Sequence, residues 1–287
     1  MRTGLSEDPL KPTTAAEIPR PPMRAVPDEW VPPDIDALQP PVAEGIACPL
    51  GEVVSGAEAR VEEFLDNLNR VTATESVQHQ PVNRSGVLGR PEIRKYHYLA
   101  SVGRAQDGTL DLAEYRRSNA DPVQTSSGAN DISVENTFIH LVIFHPHYTR
   151  NFRLSCEGLG TWRGQPAWQV RFEERTDRVN RMNILIFNGR QYSPRVRGRA
   201  WVLADSYQVG RVETDLVEPM PEVQLRLWHQ VIDYDPRAAE VGNQEVWLPS
   251  TSELYMDFRK HRFYRRHSYN DFHFFSVKVH QEFGAIW

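Results

Sequence analysis

The stretch Trp168-Gln169-Val170-Arg171-Phe172-Glu173 alternates large apolar side chains with polar ones. Strict alternation of this kind predicts a β-strand with one buried face and one solvent-exposed face. Residues 152–156 alternate in the same way, and Arg163-Gly164-Gln165-Pro166 has the composition of a turn. Residues 152–173 are therefore predicted to form an antiparallel hairpin.

The same period of two recurs along most of the chain after residue 90. It is clear around residues 95–102, 211–216, 223–231, 253–258 and 262–281, with a last turn at Tyr269-Asn270-Asp271. About nine or ten strands joined by short turns, without long helices between them, predict an antiparallel sheet. A sheet that wide has to curl or split, and a curled sheet needs helices to fill its hollow.

Two segments are candidates for these filling helices. Ser55-Gly56-Ala57-Glu58 has the pattern of a capping box, and apolar residues follow at helical spacing up to Val71, which predicts a helix over residues 55–71. The second candidate is residues 136–150, whose short apolar run also fits a strand. The predicted class is mainly β with helices (α+β): one large curved antiparallel sheet packed on two helices.

The amino-terminal segment differs in composition from the rest. Residues 1–50 contain 11 of the 21 prolines, one aromatic residue (Trp30), and four Lys or Arg against eight Asp or Glu. Such a segment propagates neither a helix nor a sheet ladder, and it lacks the apolar mass to fold alone. We expect an extended or disordered tail over residues 1–47 and a single β domain over 48–287. A proline-rich docking ligand for a partner is the alternative for the tail.

Composition also limits the cellular compartments and the classes of partner that fit this protein. The formal net charge of −5 argues against nucleic acid as a partner, and the longest apolar run, Phe138–Phe144, is too short for a transmembrane segment. Residues 1–7 lack the apolar core of a secretory signal. The expectation is therefore a cytoplasmic protein, or a periplasmic or envelope-associated one if a signal peptide precedes Met1.

Motifs for catalysis or metal binding are missing from the sequence. It has no HExxH and no G-x-S-x-G, and the glycines of residues 158–164 have the wrong spacing for a dinucleotide loop. We expect no cofactor, no metal site and no enzymatic activity. Cys48 and Cys156 are predicted to be buried inert thiols or, in an exported protein, a disulfide.

Residues 201–287 hold 15 of the 29 aromatic residues, with large side chains on both faces of some strands. Three arrangements would each explain large side chains on both faces: the tail or a partner covers the second face, the second face lines an apolar groove, or it packs against helices and loops in the ordinary way. The cluster Arg259–His267 interleaves cations with aromatic rings, a pattern that also occurs where anions are bound. Its candidate anion contacts are Arg259, Lys260, Arg262, Arg265 and Arg266. Neutralisation by Glu213–Asp215 and Asp233–Asp235 is the alternative.

The order of elements, from a capped helix through a long meander and a short mid-chain helix to terminal hairpins, resembles the periplasmic lipoprotein-carrier fold. This unclosed barrel is shared by lipoprotein-localisation proteins and related envelope lipid binders. The stretches Val61–Glu75, Trp162–Glu174, Arg199–Pro219 and Trp247–Phe275 are similar to a set of uncharacterised bacterial envelope proteins. The resemblance covers residues 48–285 and implies an apolar cavity for acyl chains between the concave face and the helices.

On that resemblance we expect a non-enzymatic cell-envelope protein that binds a lipid, a lipoprotein or another apolar small molecule in the half-barrel. The expected cavity wall consists of strand residues in apolar registers: Tyr96, Tyr98, Trp168, Phe172, Trp201, Leu225, Leu227 and Phe274. The arginine cluster would lie at its rim. A protein-interaction module using the tail or an outer aromatic face is the alternative, and a hydrolase or metalloenzyme without recognisable motifs is the third.

Overall fold

The computed structural model describes residues 30–37, 39–67, 70–105, 109–118, 124–125, 140–178, 180, 182, 185–187, 190–238 and 245–275. The helices are α1 (Leu50–Asn67) and the single turn α2 (Pro146–Thr149), with 3₁₀ turns at Leu141–Phe144 and Pro221–Val223. The strands are β1 (Arg70–Val82), β2 (Glu92–Arg104), β3 (Leu110–Arg117), β4 (Gln124–Thr125), β5 (Phe152–Trp162), β6 (Gln165–Glu174), β7 (Leu185–Phe187), β8 (Arg190–Tyr192), β9 (Val196–Leu203), β10 (Val209–Leu216), β11 (Leu225–Ala238), β12 (Glu245–Phe258) and β13 (His261–Phe275).

Among the described strands, eleven form one antiparallel sheet in the order β4-β3-β2-β1-β13-β12-β11-β10-β9-β6-β5, and β7 pairs with β8. The two edge strands do not pair with each other, so the barrel is unclosed. Bulges interrupt the pairs β5–β6, β9–β10, β11–β12 and β1–β13. Because a bulge bends its strand and increases the local twist, these bulges let so wide a sheet curl. The predicted class, a large curved antiparallel sheet with two helices, is confirmed.

Helix α1 packs on one face of the sheet, here called the helix face. Val53, Ala57, Val61 and Leu65 recur every four residues and are buried in one cluster with side chains of β6, β9 and β10. The helix begins at Leu50 instead of the predicted residue 55, because the Val53 amide already donates to the Pro49 carbonyl at 3.0 Å. It ends at Asn67, before the predicted residue 71.

The second predicted helix consists of two shorter turns. The 3₁₀ turn Leu141–Phe144 and α2 follow each other, and the four apolar residues of the 3₁₀ turn are buried on the helix face. Residues 136–139 of the prediction lie outside the described residues. The proline at the start of α2 is favoured at a first helical position, so it separates the two turns.

The predicted last hairpin is wrong in the described part. Strand β13 continues from His261 to Phe275 and pairs with β1 on both sides of residue 271. Asp271 has a φ of 53°, and the register shifts between Thr72 and Thr74 of the partner strand. The polar residues at this point therefore make a bulge and not a chain reversal. Residues 276–281 lie outside the described residues.

The opposite face of the sheet, here called the outer face, carries many ion pairs. Part of the amino-terminal segment, residues 30–37 and 39–43, crosses this face and is here called the strap. The strap begins at the connection between β1 and β2, where the Trp30 amide donates to the Gly86 carbonyl at 3.1 Å. It reaches the edge strand β5, where the Ala43 amide donates to the Leu159 carbonyl at 2.7 Å. The chain then turns around that edge and enters α1 on the helix face.

Candidate functional site

A cavity of 640 Å³ opens on the outer face of β13, β1, β2 and β3, and is here called the outer groove. This volume lies within the range of small-molecule sites in proteins. The wall of the outer groove consists of three consecutive residues from each of β1, β2 and β3 and of two residues from the bulged end of β13. The lining residues are Thr72, Ala73, Thr74, His97, Tyr98, Leu99, Tyr115, Arg116, Arg117, Asp271 and His273.

The strand registers arrange the side chains of the outer groove in two rows. The first row crosses the four strands through His273, Thr72, Leu99 and Tyr115. The second row crosses three strands through Thr74, His97 and Arg117. Leu99 and Thr72 are half-buried in the middle of the first row, whereas His273 and Tyr115 at its ends and His97 and Arg117 of the second row are exposed. The floor is therefore apolar or methyl-bearing, and the rim is polar.

A buried ionic cluster lies behind the outer groove, on the helix face of the same strands. The Arg116 guanidinium donates to both carboxylate oxygens of Glu75 at 2.7 and 3.0 Å, and to Glu114 at 3.3 Å. His267 Nδ1 lies 2.8 Å from Glu75 Oε1. Glu75 is wholly buried, and this cluster connects β1, β3 and β13.

The ionic cluster sets the protonation of its members. Burial by itself would raise the pKa of Glu75, but the Arg116 charge and the hydrogen bond to His267 outweigh it and lower the pKa from 4.5 to about 2. Burial lowers the pKa of His267, partly offset by Glu75. Glu75 is therefore a carboxylate at neutral pH, and it fixes the strands that carry the floor of the outer groove.

Four of the predicted wall residues lie in packed core. Trp168, Phe172 and Leu225 belong to the cluster that also contains the apolar side of α1, and they are 9%, 0% and 1% exposed. Tyr98 is 1% exposed and makes an edge-on ring contact with Tyr269 at 5.1 Å between centroids. Among the eight wall residues, Tyr98 is a lining residue of the outer groove.

The other four wall residues do not meet at one place. Trp201 is on the outer face, beneath the Arg211 guanidinium at 5.3 Å from the ring centroid. Leu227 also belongs to the outer face, because a bulge lies between Leu225 and Leu227 and shifts the strand by one residue. Tyr96 is half-buried opposite Glu75 on β2. Phe274 pairs with Val71, and its side chain lies outside the described part of the structure.

The predicted rim begins with a turn. Arg259 and Lys260 have φ values of 51° and 67° and form the two-residue connection between β12 and β13, as in a type I′ hairpin. Arg262 points to the strap, where its guanidinium lies 5.4 Å from the centroid of the Trp30 ring.

The last two rim residues take partners on opposite faces. Arg265 donates to His79 Nδ1 at 3.1 Å, and burial together with the Arg265 charge lowers the pKa of His79 to about 4. Arg266 pairs with Glu253 at 3.0 Å and is buried. The five cations therefore do not form one surface cluster, since strand alternation sends neighbours to different faces.

Cys48 and Cys156 form a disulfide with 6.2 Å between their Cα atoms. It joins the residue before α1 to the edge strand β5, across 108 residues of sequence. Gly158 lies two residues further along β5 with a φ of 142°, and a Cβ there would meet Val42 at 2.9 Å. The disulfide and this close contact together hold the end of the strap against the sheet edge.

Metal-binding groups and membrane-spanning helices are both missing from the part of the chain that the structure describes. Within it, no three His, Cys, Asp or Glu side chains lie together in a way that would hold a metal ion. No helix in the described ranges is both long and apolar enough to cross a membrane.

The residues of the outer groove were missed at the sequence level. They come from four strands, and their common feature, a row across the sheet, is a property of register and not of spacing. The alternation in residues 95–102 places His97 on the polar side of β2, which is the one signal that pointed to this face.

No protein family model matches this chain, and no curated protein matches its sequence. Similar solved structures include a DUF1329 family protein from Desulfovibrio piger, with 10% identity over 79% of this chain and 94% of that chain and a TM-score of 0.45. A domain assigned to outer membrane lipoprotein sorting from Vibrio parahaemolyticus has 12% identity over 78% and 91%, with a TM-score of 0.41. A LolA superfamily protein from Nitrosomonas europaea has 11% identity over 80% and 96%, with a TM-score of 0.38. Similarity at this level concerns the course of the backbone, so function has to follow from this chain's own side chains.

Proposed function

We propose that this chain is a non-enzymatic cell-envelope protein that binds a lipid, or the acyl part of a lipoprotein, in the outer groove. The observation that supports this is the 640 Å³ cavity with Leu99 and Thr72 half-buried at its floor and ionisable groups at its rim. An apolar floor with a few polar groups at the edge is typical of sites for amphiphilic ligands. The helix face is the other place where a ligand could be expected, but Trp168, Phe172 and Leu225 are packed there against other side chains. This favours the outer groove as the binding site.

Burial of an alkyl chain supplies the binding free energy in this proposal. Each methylene removed from water contributes about 0.8 kcal/mol, so ten of them contribute about 8 kcal/mol before the cost of association is subtracted. No covalent step is required. A net affinity in the micromolar range needs about 8 kcal/mol, and with an association cost of at least about 4 kcal/mol this requires about fifteen buried methylenes, so a chain of about sixteen carbons is the expected length class.

The compartment in this proposal is an oxidising one. A disulfide between Cys48 and Cys156 is a feature of exported proteins, because cytosolic thiol pools keep such pairs reduced. The periplasm or another part of the cell envelope fits this requirement.

The test is a titration with a fluorescent fatty acid on matched variants. Leu99→Lys puts an ammonium group on the floor of the outer groove and is expected to weaken binding at least tenfold, because the charge would be desolvated by the alkyl chain. Ile93→Lys is the control, since Ile93 is on the same strand and face but outside the cavity and is 65% exposed. Equal binding by Leu99→Lys and wild type would contradict the location, and the absence of binding by wild type would contradict the function.

A further inference from the structure

The strap is held on the outer face by contacts to its main chain. The Ile35 amide donates to Asp215 Oδ2 at 3.2 Å, and the Ile35 carbonyl accepts from Arg199 Nη2 at 3.1 Å. The two peptide groups that flank the Ile35 Cα are thus each held by one side chain, from β10 and from β9. Residues 35–37 form a turn, in which the Asp36 amide donates to Asp34 Oδ1 at 2.8 Å, and contacts to main-chain groups of such a turn do not depend on the side chain of the residue they hold.

The strap is also recognised by charge. The Asp36 carboxylate lies between two arginines, Arg197 at 2.8 Å and Arg171 at hydrogen-bond distance. These cations come from β9 and β6, and they are 29% and 20% exposed. The surface therefore selects an acidic residue directly after the residue whose main chain it grips.

Contacts outside the strap also hold Arg199 in place. Arg199 is fully buried, and Glu157 on β5 accepts two hydrogen bonds from its guanidinium, one of them at 3.0 Å. Because Nη2 donates both to Glu157 and to the Ile35 carbonyl, the pairing with Glu157 orients it towards the strap. Little side-chain entropy is then lost when a segment binds.

The strap fills this surface incompletely. His229 is 1% exposed and its Nδ1 is paired with Asp215, but no residue in the described part of the chain hydrogen-bonds to its Nε2. Asp36 remains 45% exposed. A buried polar atom without a partner is unfavourable, so a segment that offers His229 a hydrogen bond would bind this surface better than the strap does.

We propose that this part of the outer face, on β6, β9 and β10, is a docking surface for an acidic segment of a partner protein that turns as residues 35–37 do, and that the strap occupies it in cis. The strap is tethered by the disulfide at its end, so its effective concentration is in the millimolar range. A partner segment binds by displacing it. This surface is separate from the outer groove on β1, β2 and β3.

The test is the binding of a labelled peptide, residues 30–43, to the full chain with its disulfide intact, measured by fluorescence anisotropy. Asp36→Arg in the protein places a cation between Arg171 and Arg197 and weakens the cis strap. We expect the peptide to bind this variant at least tenfold more tightly than wild type. The control is Glu44→Arg, which reverses a charge next to the strap at a residue with no ion pair to the described residues.

Variant peptides and a second protein variant extend the binding measurement. A peptide carrying Asp36→Arg is expected to bind at least tenfold more weakly, and unrelated peptides that keep an apolar residue followed by Asp are expected to compete. If Asp36→Arg disturbs folding, the Arg171→Asp, Arg197→Asp protein replaces it and is expected to prefer the Asp36→Arg peptide. Equal affinity for all proteins, or no binding to any, overturns the proposal. Wild-type dimers that dissociate when peptide is added also overturn it, because the occupant is then a second copy.

Discussion

Replacement of Glu75 by glutamine is expected to destabilise the fold at neutral pH and to change how stability depends on pH. The pKa of Glu75 falls from 4.5 to about 2 on folding. This difference of roughly 2.5 pK units corresponds to about 3 kcal/mol of stability. Because the folded pKa is the lower one, that stability is present above pH 4.5 and is lost as the pH falls towards 2.

The assay is urea unfolding followed by tryptophan fluorescence at a series of pH values from 2.5 to 7. At pH 7 the Glu75→Gln protein is expected to be about 3 kcal/mol less stable, because Arg116 and His267 lose the carboxylate that pairs with both of them. The variant is also expected to lose less stability than wild type between pH 4.5 and 2.5. Burial lowers the pKa of His267 and Glu75 partly offsets this, so both proteins lose stability as the pH falls from about 6.5 to 4.5, and the variant is expected to lose more in that range.

The matched control is Glu92→Gln on β2. Glu92 pairs with Arg94 at 3.3 Å, but both side chains are more than 60% exposed, so its loss is expected to cost less than about 1 kcal/mol. The reasoning is refuted if Glu75→Gln lies within 1 kcal/mol of wild type at pH 7. It is also refuted if the two proteins have the same slope between pH 4.5 and 2.5.

Three further predictions concern stability. Cys48→Ser, which opens a 108-residue connection, is expected to cost about 2–4 kcal/mol in thermal unfolding, and adding reductant to wild type should have the same effect. Gly198→Ala is expected to cost more than about 3 kcal/mol in urea unfolding, since its Cβ would lie 2.1 Å from Phe172; Gly51→Ala, with nothing within 4 Å, should stabilise. Burial raises the pKa of Glu174 to about 7, so Glu174→Gln should stabilise by about 3 kcal/mol at pH 8 and be neutral at pH 4 in the same assay.

The strands that alternate cleanly could be predicted from the sequence. Trp168–Glu173 lies in β6 with its apolar residues on the helix face, because one side of the sheet is buried and the other carries charge. Strand β1 could not be found in this way. Val71 continues the apolar spacing of α1, yet it is the second residue of β1, and local spacing does not distinguish the two.

Bulges explain most of the remaining differences. Leu225 and Leu227 have the same spacing as residues on one face, but the bulge between them puts them on opposite faces. A one-residue shift of this kind depends on how neighbouring strands pair, and a single sequence does not contain that information. The outer groove was missed for the same reason, because its residues become neighbours through register across four strands.

The most direct test of the proposed lipid site is photo-crosslinking with a fatty acid that carries a reactive group near the end of its chain. After irradiation, proteolysis and mass spectrometry identify the labelled peptides. We expect labels on residues 72–74, 97–99 and 115–117, and their loss in the Leu99→Lys protein but not in the Ile93→Lys protein. Labels confined to the helix face, around Tyr148 and Trp168, would contradict the account.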